Sequence, residues 1–124
     1  AAHFCNDLVI GGYSDWYFAA KNELEICYFN LKPNTNPNNT SSGINPNAVP
    51  ARASNYTSGT PAQTSATIFR VGNAEAFADN VGRYWSSTEG GSQIGWGATF
   101  YRGKQDLYGM SASYYVRAIR RIAV

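Results

Sequence analysis

The chain has 124 residues, of which 44% are apolar, 15% aromatic and 15% charged. That length fits one domain with a single hydrophobic core, and the composition excludes a disordered or fibrous chain. A net charge of only +2 implies no general attraction to nucleic acid or membrane surfaces, and no apolar run approaches the ~20 residues of a membrane span.

In chain order, Ala1, Phe4, Cys5 and Leu8 fall at i, i+3, i+4 and i+7 and predict a short one-sided helix, stopped by Gly11-Gly12. Tyr13-Ser14-Asp15 reads as a turn and Trp16 to Ala19 as a short aromatic strand. Asn22 is the predicted N-cap of a second helix ending at Leu31 before Pro33. Glu23 and Glu25 stand in its first turn, and Leu24, Cys27, Tyr28 and Leu31 form its apolar stripe. Cys5 and Cys27 both lie on apolar stripes and lack a metal-type spacing. A bridge between them would stabilise by about 3 kcal/mol, but the stripe positions favour two buried thiols over a disulfide or a reactive pair.

Residues 32–64 are dense in Asn, Pro, Ser, Thr and Gly and carry only two charges, Lys32 and Arg52. A loop this long within a compact domain is functional or disordered. Ile44, Val49 and Tyr56 are the predicted anchors that would make it an ordered excursion. The glycosylation-type triplets at Asn39 and Asn55 are expected by chance in such a composition. Thr67 to Val71 reads as a brief strand or extended segment, and Asn73 to Ala78 as one or two helical turns.

The remainder carries β signals: Tyr84–Thr88, Ile94 to Tyr101, a turn at Gly103, Lys104 to Tyr108, and a last strand from Tyr114 to Ile122. Alternation puts Trp96 and Phe100 inward, with Gly97, Thr99 and Tyr101 outward. The last strand mixes polar and apolar residues on both faces, which predicts a central position with Arg117, Arg120 and Arg121 paired to carboxylates such as Glu23 or Glu89, in preference to a nucleic-acid patch. Two helices followed by hairpin-linked strands make an α+β domain. The lone methionine, Met110, means that the chain does not begin at a start codon. It is expected to be processed, or the C-terminal piece of a longer protein.

Catalytic groups are sparse. His3 is the sole histidine and lies two residues from Cys5, so a helix would point the two side chains apart. The carboxylates are dispersed, and the glycines near Gly90 precede no helix that would make a phosphate loop. Asp15, Asp79, Glu89 and Asp106 do not form the dense acidic loop of a calcium site. No metal or cofactor is expected, and no enzymatic activity. Binding chemistry is richer. Residues 90–115 include six Gly, four Tyr and three Ser among 26, a composition typical of paratopes: rigid amphipathic aromatics on an adaptable backbone. The candidate contacts are Ile94, Gly97, Thr99, Tyr101, Arg102, Lys104, Asp106, Leu107, Tyr108, Ser111 and Tyr114, with Met110 and Tyr115 beside them.

The ordered set Gly11-Gly12-Tyr13-Ser14-Asp15-Trp16, Lys21-Asn22-Glu23-Leu24, Tyr84-Trp85-Ser86-Ser87-Thr88-Glu89, Trp96, Phe100, Gly103 and Val116-Arg117-Ala118 resembles the small C-type-lectin-like domain related to formylglycine-generating enzymes. It covers nearly the whole chain outside 32–64. More narrowly it resembles the variable proteins of diversity-generating retroelements, found at phage tail tips and on bacterial surfaces. The resemblance implies one domain over 1–124, with two helices on a small, mostly antiparallel twisted sheet with long loops. Trp85, Trp96, Phe100, Gly103, Val116 and Arg117 would be fixed scaffold, and the exposed positions of 90–115 diversified contacts. The ligand would be a bacterial cell-surface protein or glycan, and the setting a virion tail or cell surface, where trimerisation is compatible. The alternative is a non-diversified structural or adhesive surface domain of the same fold. The chain lacks the Glu-Pro-Asn and Trp-Asn-Asp triplets of calcium-dependent lectins and the C-terminal cysteine pair of formylglycine-generating enzymes, which argues against both activities.

Overall fold

A computed structural model describes residues 2–122. Ala1 of the first helical stripe and Ala123 and Val124 of the closing segment lie outside the described residues. The chain is α+β, in the order α1 (Ala2–Asn6), β1 (Tyr17–Phe18), α2 (Lys21–Leu31), a 3-10 turn (Thr67–Phe69), β2 (Arg83–Gly91), β3 (Ile94–Thr99), β4 (Gln105–Gly109) and β5 (Ala118–Ile119). Strands β2, β3 and β4 form one antiparallel sheet and β1 pairs with β5 in a second. Tyr115 joins the two: it bridges Tyr84 in parallel, exchanging backbone hydrogen bonds with Arg83 and Trp85 of 2.8 and 2.9 Å.

Helix α2 starts one residue before the expected position, and Asn22 is not its cap. Ala20 holds the cap position without a polar side chain; instead the Glu23 carboxylate accepts from the Ala20 N–H at 3.0 Å. The Lys21 N–H donates to Thr88 Oγ1 of β2 at 2.9 Å. The orphan donors of the first turn are thus partly satisfied from the sheet, which fixes α2 against it. Leu24 and Tyr28 are buried as their spacing predicts. They meet Phe77, Tyr84 and Phe100 in one core, where Phe77 and Phe100 stack with ring centres 4.1 Å apart. Cys5 and Cys27 are free thiols, and burial pushes Cys27 up to about 11.

The segment 32–64 is an ordered excursion, but its pins are polar. Ile44 and Val49, two of the three expected anchors, are exposed, whereas Tyr56 is buried as expected. Glu25, on α2, is buried and accepts from Asn45 Nδ2 at 2.6 Å, from Arg52 Nη2 and from the Tyr56 hydroxyl. Lys32 is equally buried, its ammonium donating to Asn38 Oδ1 at 2.8 Å and to the Asn36 and Pro61 carbonyls. Apolar anchors are unnecessary because the buried polar side chains of the segment find partners, with Arg52 Nε the one atom that has none among the described residues, and partnering is the condition on which polar burial is tolerated.

Other boundaries differ from the sequence reading. Thr67–Phe69 is a 3-10 turn, and residues 73–78 contain no helix, turning at 74–75 and running on without regular structure. The closing segment lies between β1 and β2, pairing with β1 through Ala118–Ile119 and bridging β2 at Tyr115, so its position is central as expected but its regular part, β5, is only two residues long. Its arginines are paired as expected, Arg121 with Glu23 at 3.0 Å, while the other two take carboxylates not named from the sequence: Arg117 with Glu75 at 3.3 Å and Arg120 with Asp15 at 2.8 Å. Glu89 is exposed and takes no part.

Candidate binding face

Register decides which side chains share a face. Arg83 stands opposite Thr99, Trp85 opposite Gly97, Gly97 opposite Asp106 and Gly95 opposite Tyr108. Directly paired residues project to the same side of a pleated sheet. One face therefore carries Arg83, Trp85, Thr99, Asp106 and Tyr108, and the other Tyr84, Trp96, Ala98 and Gln105. The second face covers the core. The first is open, and the segment after β4 returns across it to lay Tyr114 beside Trp85 and Tyr108, with ring centres 4.9 and 5.7 Å away.

Arg83 is the centre of this cluster. Its guanidinium lies 4.3 Å from the Tyr108 ring centre and 5.4 Å from that of Tyr114. A cation over an aromatic face contributes ~0.5–1 kcal/mol when exposed, so these contacts orient the rings more than they stabilise the fold. Arg83 Nε is buried and has no hydrogen-bond partner among the described residues. Two hollows flank the cluster. One of about 370 Å³ lies between Phe18, Trp85, Glu89, Gly95 and Met110; the other, of about 330 Å³, lies between Arg83, Ser113, Tyr114 and Tyr115.

The predicted contacts divide into three groups. Thr99, Asp106, Tyr108 and Tyr114 are gathered on the open face. Gly97 is on the same face but buried: a Cβ there would meet Tyr108 Cδ2 at 2.9 Å and the Tyr84 carbonyl at 3.1 Å. It is the floor on which Tyr108 rests. Tyr101, Arg102 and Lys104 belong to the turn between β3 and β4, which the 32–64 segment clasps. Asn34 and Asn36 donate to the Tyr101 carbonyl at 3.1 and 3.2 Å, Asn39 N to the Arg102 carbonyl at 2.7 Å, and Arg102 Nε to the Pro37 carbonyl at 2.9 Å. The Tyr101 side chain is exposed at this turn, and Lys104 pairs with Asp106 at 3.3 Å. The Asp106 carboxyl is held below the usual range by the Leu107 N–H, with Lys104 adding to the effect. The remaining three lie apart: Ile94 packs beside Gly91, Leu107 projects to the opposite face and covers Gly90, and Ser111 is exposed in the turn after β4.

Two members of the cluster were not among the predicted contacts. Arg83 was not singled out and Trp85 was read as scaffold, although alternation from 83 to 87 would have set Arg83 and Trp85 opposite Tyr84 and Ser86. Trp96, expected in the core, is only half-buried. It sits on the core side of the sheet, beyond the edge of the core, with the Lys21 ammonium 3.7 Å from its ring centre. Among the described residues no three His, Cys, Asp or Glu side chains gather as a metal site requires, and no helix is long and apolar enough to cross a membrane. No protein-family model, curated protein or solved structure matches the chain.

Proposed function

We propose that the chain is a ligand-binding module of C-type-lectin-like fold, the variable protein of a diversity-generating retroelement, whose open face recognises a bacterial cell-surface protein or glycan from a phage tail or cell surface. The observation that carries the reading is the Arg83–Trp85–Tyr108–Tyr114 cluster. It places four large side chains, all half-exposed, on a sheet braced from behind. Aromatic and arginine side chains of this kind, pre-positioned and able to exclude water, are the usual source of interface energy. Thr99, Asp106, Tyr108 and Tyr114 of this face belong to the 90–115 segment, so diversification at those positions would change the contact surface without touching the core. Recognition of this type needs no catalytic group, and the reading assigns none.

Two experiments test it. The DNA beside the coding region should contain a reverse transcriptase gene and a near-copy of the sequence for residues 90–115 differing at adenines. Their absence would leave the non-diversified adhesive domain as the better reading. Independently, the combined change Asp106→Ser, Tyr108→Ser and Tyr114→Ser should leave the fold intact, at a cost below about 2 kcal/mol, since surface positions contribute little individually. Cooperative unfolding at much lower urea would show these residues to be structural and would sink the assignment.

A further inference from the structure

A larger hollow lies elsewhere, on the core side of the sheet. It holds about 760 Å³ between the start of α2, Thr88, Trp96 and Asn47. A smaller one of about 190 Å³ continues it past Ser41, Asn55 and Gln105. Lys21 and Trp96 line both, so their pair forms a ridge within one groove. Three features of the groove point to a ligand. The Lys21 ammonium has no carboxylate within ion-pair distance among the described residues and rests on the indole instead. The other two charges present, Arg121 and Glu23, neutralise each other. Finally, the side chains of Ser41, Asn47 and Asn55, which are exposed, and of half-buried Asn22 make no hydrogen bond among the described residues and so are available to a ligand. By contrast, the buried asparagines of the same segment, Asn34, Asn38 and Asn45, are fully engaged.

We infer that this groove is a second binding site, for an acidic saccharide. Amides and hydroxyls each donate and accept, which matches sugar hydroxyls. The indole offers a flat apolar face to the C–H side of a pyranose, and the ammonium supplies the partner for a carboxylate or phosphate on the sugar. An anion that pairs with Lys21 draws the ammonium off the ring and opens that face. Apart from Trp96, the large apolar side chains on the groove are only Ile26 and Ile44, too few for the apolar anchors a protein partner uses. The groove and the open face are on opposite sides of the sheet, so either assignment can fail alone.

The three tryptophans report on the two sites separately. Trp85 lies on the open face, Trp96 in the groove, and Trp16, which donates to the Tyr13 carbonyl at 3.1 Å, lines neither. Indole N–H resonances of ¹⁵N-labelled protein, assigned with Trp96→Phe, are followed during titration with uronic-acid, sialylated and phosphorylated oligosaccharides, their neutral counterparts, and inorganic phosphate. The expected result is a saturable shift of the Trp96 resonance with at least one acidic oligosaccharide. Affinity should fall about tenfold in Lys21→Met and be unchanged in Tyr108→Ala/Tyr114→Ala. No shift with any acidic oligosaccharide at millimolar concentration overturns the site. An equal response to the neutral sugars, or to phosphate alone, overturns the acidic-saccharide assignment, as does a shift that Lys21→Met leaves intact.

Discussion

Replacing Glu25 by Ala tests whether polar pins hold the 32–64 segment. The carboxylate is 1% exposed and accepts from Asn45, Arg52 and Tyr56, three residues spaced along the loop. Removing it strands the Arg52 guanidinium, which also lies 3.9 Å from the Phe29 ring centre, and leaves the buried Tyr56 hydroxyl without its acceptor, while the Asn45 amide keeps only its bond to the Asn22 carbonyl. Breaking a buried ion pair from one side costs ~3–5 kcal/mol, against a total stability of roughly 6–18 kcal/mol for a chain of this length. The melting temperature should therefore drop by roughly 10–20 °C. The local readout is trypsin. Arg52 exchanges backbone hydrogen bonds with Asn45, of 2.9 and 3.0 Å, and cleavage after it requires that bridge to open. Glu25→Ala should accelerate this cut well before global unfolding. Glu25→Met combined with Arg52→Met should recover part of the loss, because an apolar pair leaves no unpaired charge. A loss below about 1 kcal/mol, or an unchanged rate of cleavage after Arg52, would refute the reasoning.

Three further outcomes follow from the same contacts. Gly103→Ala should cost about 2–5 kcal/mol in urea unfolding: the residue has φ +77°, and a Cβ would penetrate the Tyr28 ring, so left-handed strain and overpacking add. Thr88→Val removes the acceptor for the first N–H of α2 and should cost ~0.5–2 kcal/mol, with a small loss of helical circular dichroism. Raising the pH from 9 to 11 should destabilise the protein. Burial raises the Cys27 thiol from 9.0 to about 11, so the folded state holds the proton longer than the unfolded chain. The stabilisation is complete below pH 9 and lost as pH climbs through the folded value, at most about 2–3 kcal/mol. Cys27→Ala should flatten that part of the profile, while burial of Tyr28 and Tyr56, which raises both hydroxyls, continues the loss above pH 10.

The legible parts of the sequence were those where one local pattern decides the outcome. The stripe of α2 and the alternation in β2 to β4 placed Leu24, Tyr28 and Phe100 correctly. The loop was opaque because composition marks asparagines as turn-formers without distinguishing Asn38, buried between Lys32 and Tyr28, from Asn47 on the surface. Glu25 read as a favourable first-turn charge, when its position is fixed by a loop twenty residues and more away. Trp96 misled because period-two alternation gives the side of a sheet but not where the core beneath it ends. On the open face, the missing members were those outside the unusual 90–115 composition: Arg83 and Trp85 contribute to the surface from an ordinary strand.

The division of the sheet limits what variation the open face can accept. From behind, β3 and β4 are held by Phe100 in the core, by Gly103 against Tyr28, and by the asparagines that clasp the Tyr101 and Arg102 carbonyls. None of these contacts involves a side chain at 99, 106, 108 or 114, so those four positions can change with little effect on folding. Gly95 and Gly97 are different. They lie under Trp85, Met110 and Tyr108, and a larger side chain at 97 meets a backbone oxygen that cannot move aside. A diversified set would therefore keep glycine at 97 while varying its neighbours. The pattern separates the two readings: a merely adhesive domain, which has a fixed surface to conserve, would constrain Tyr108 and Tyr114 as strongly as the glycine beneath them.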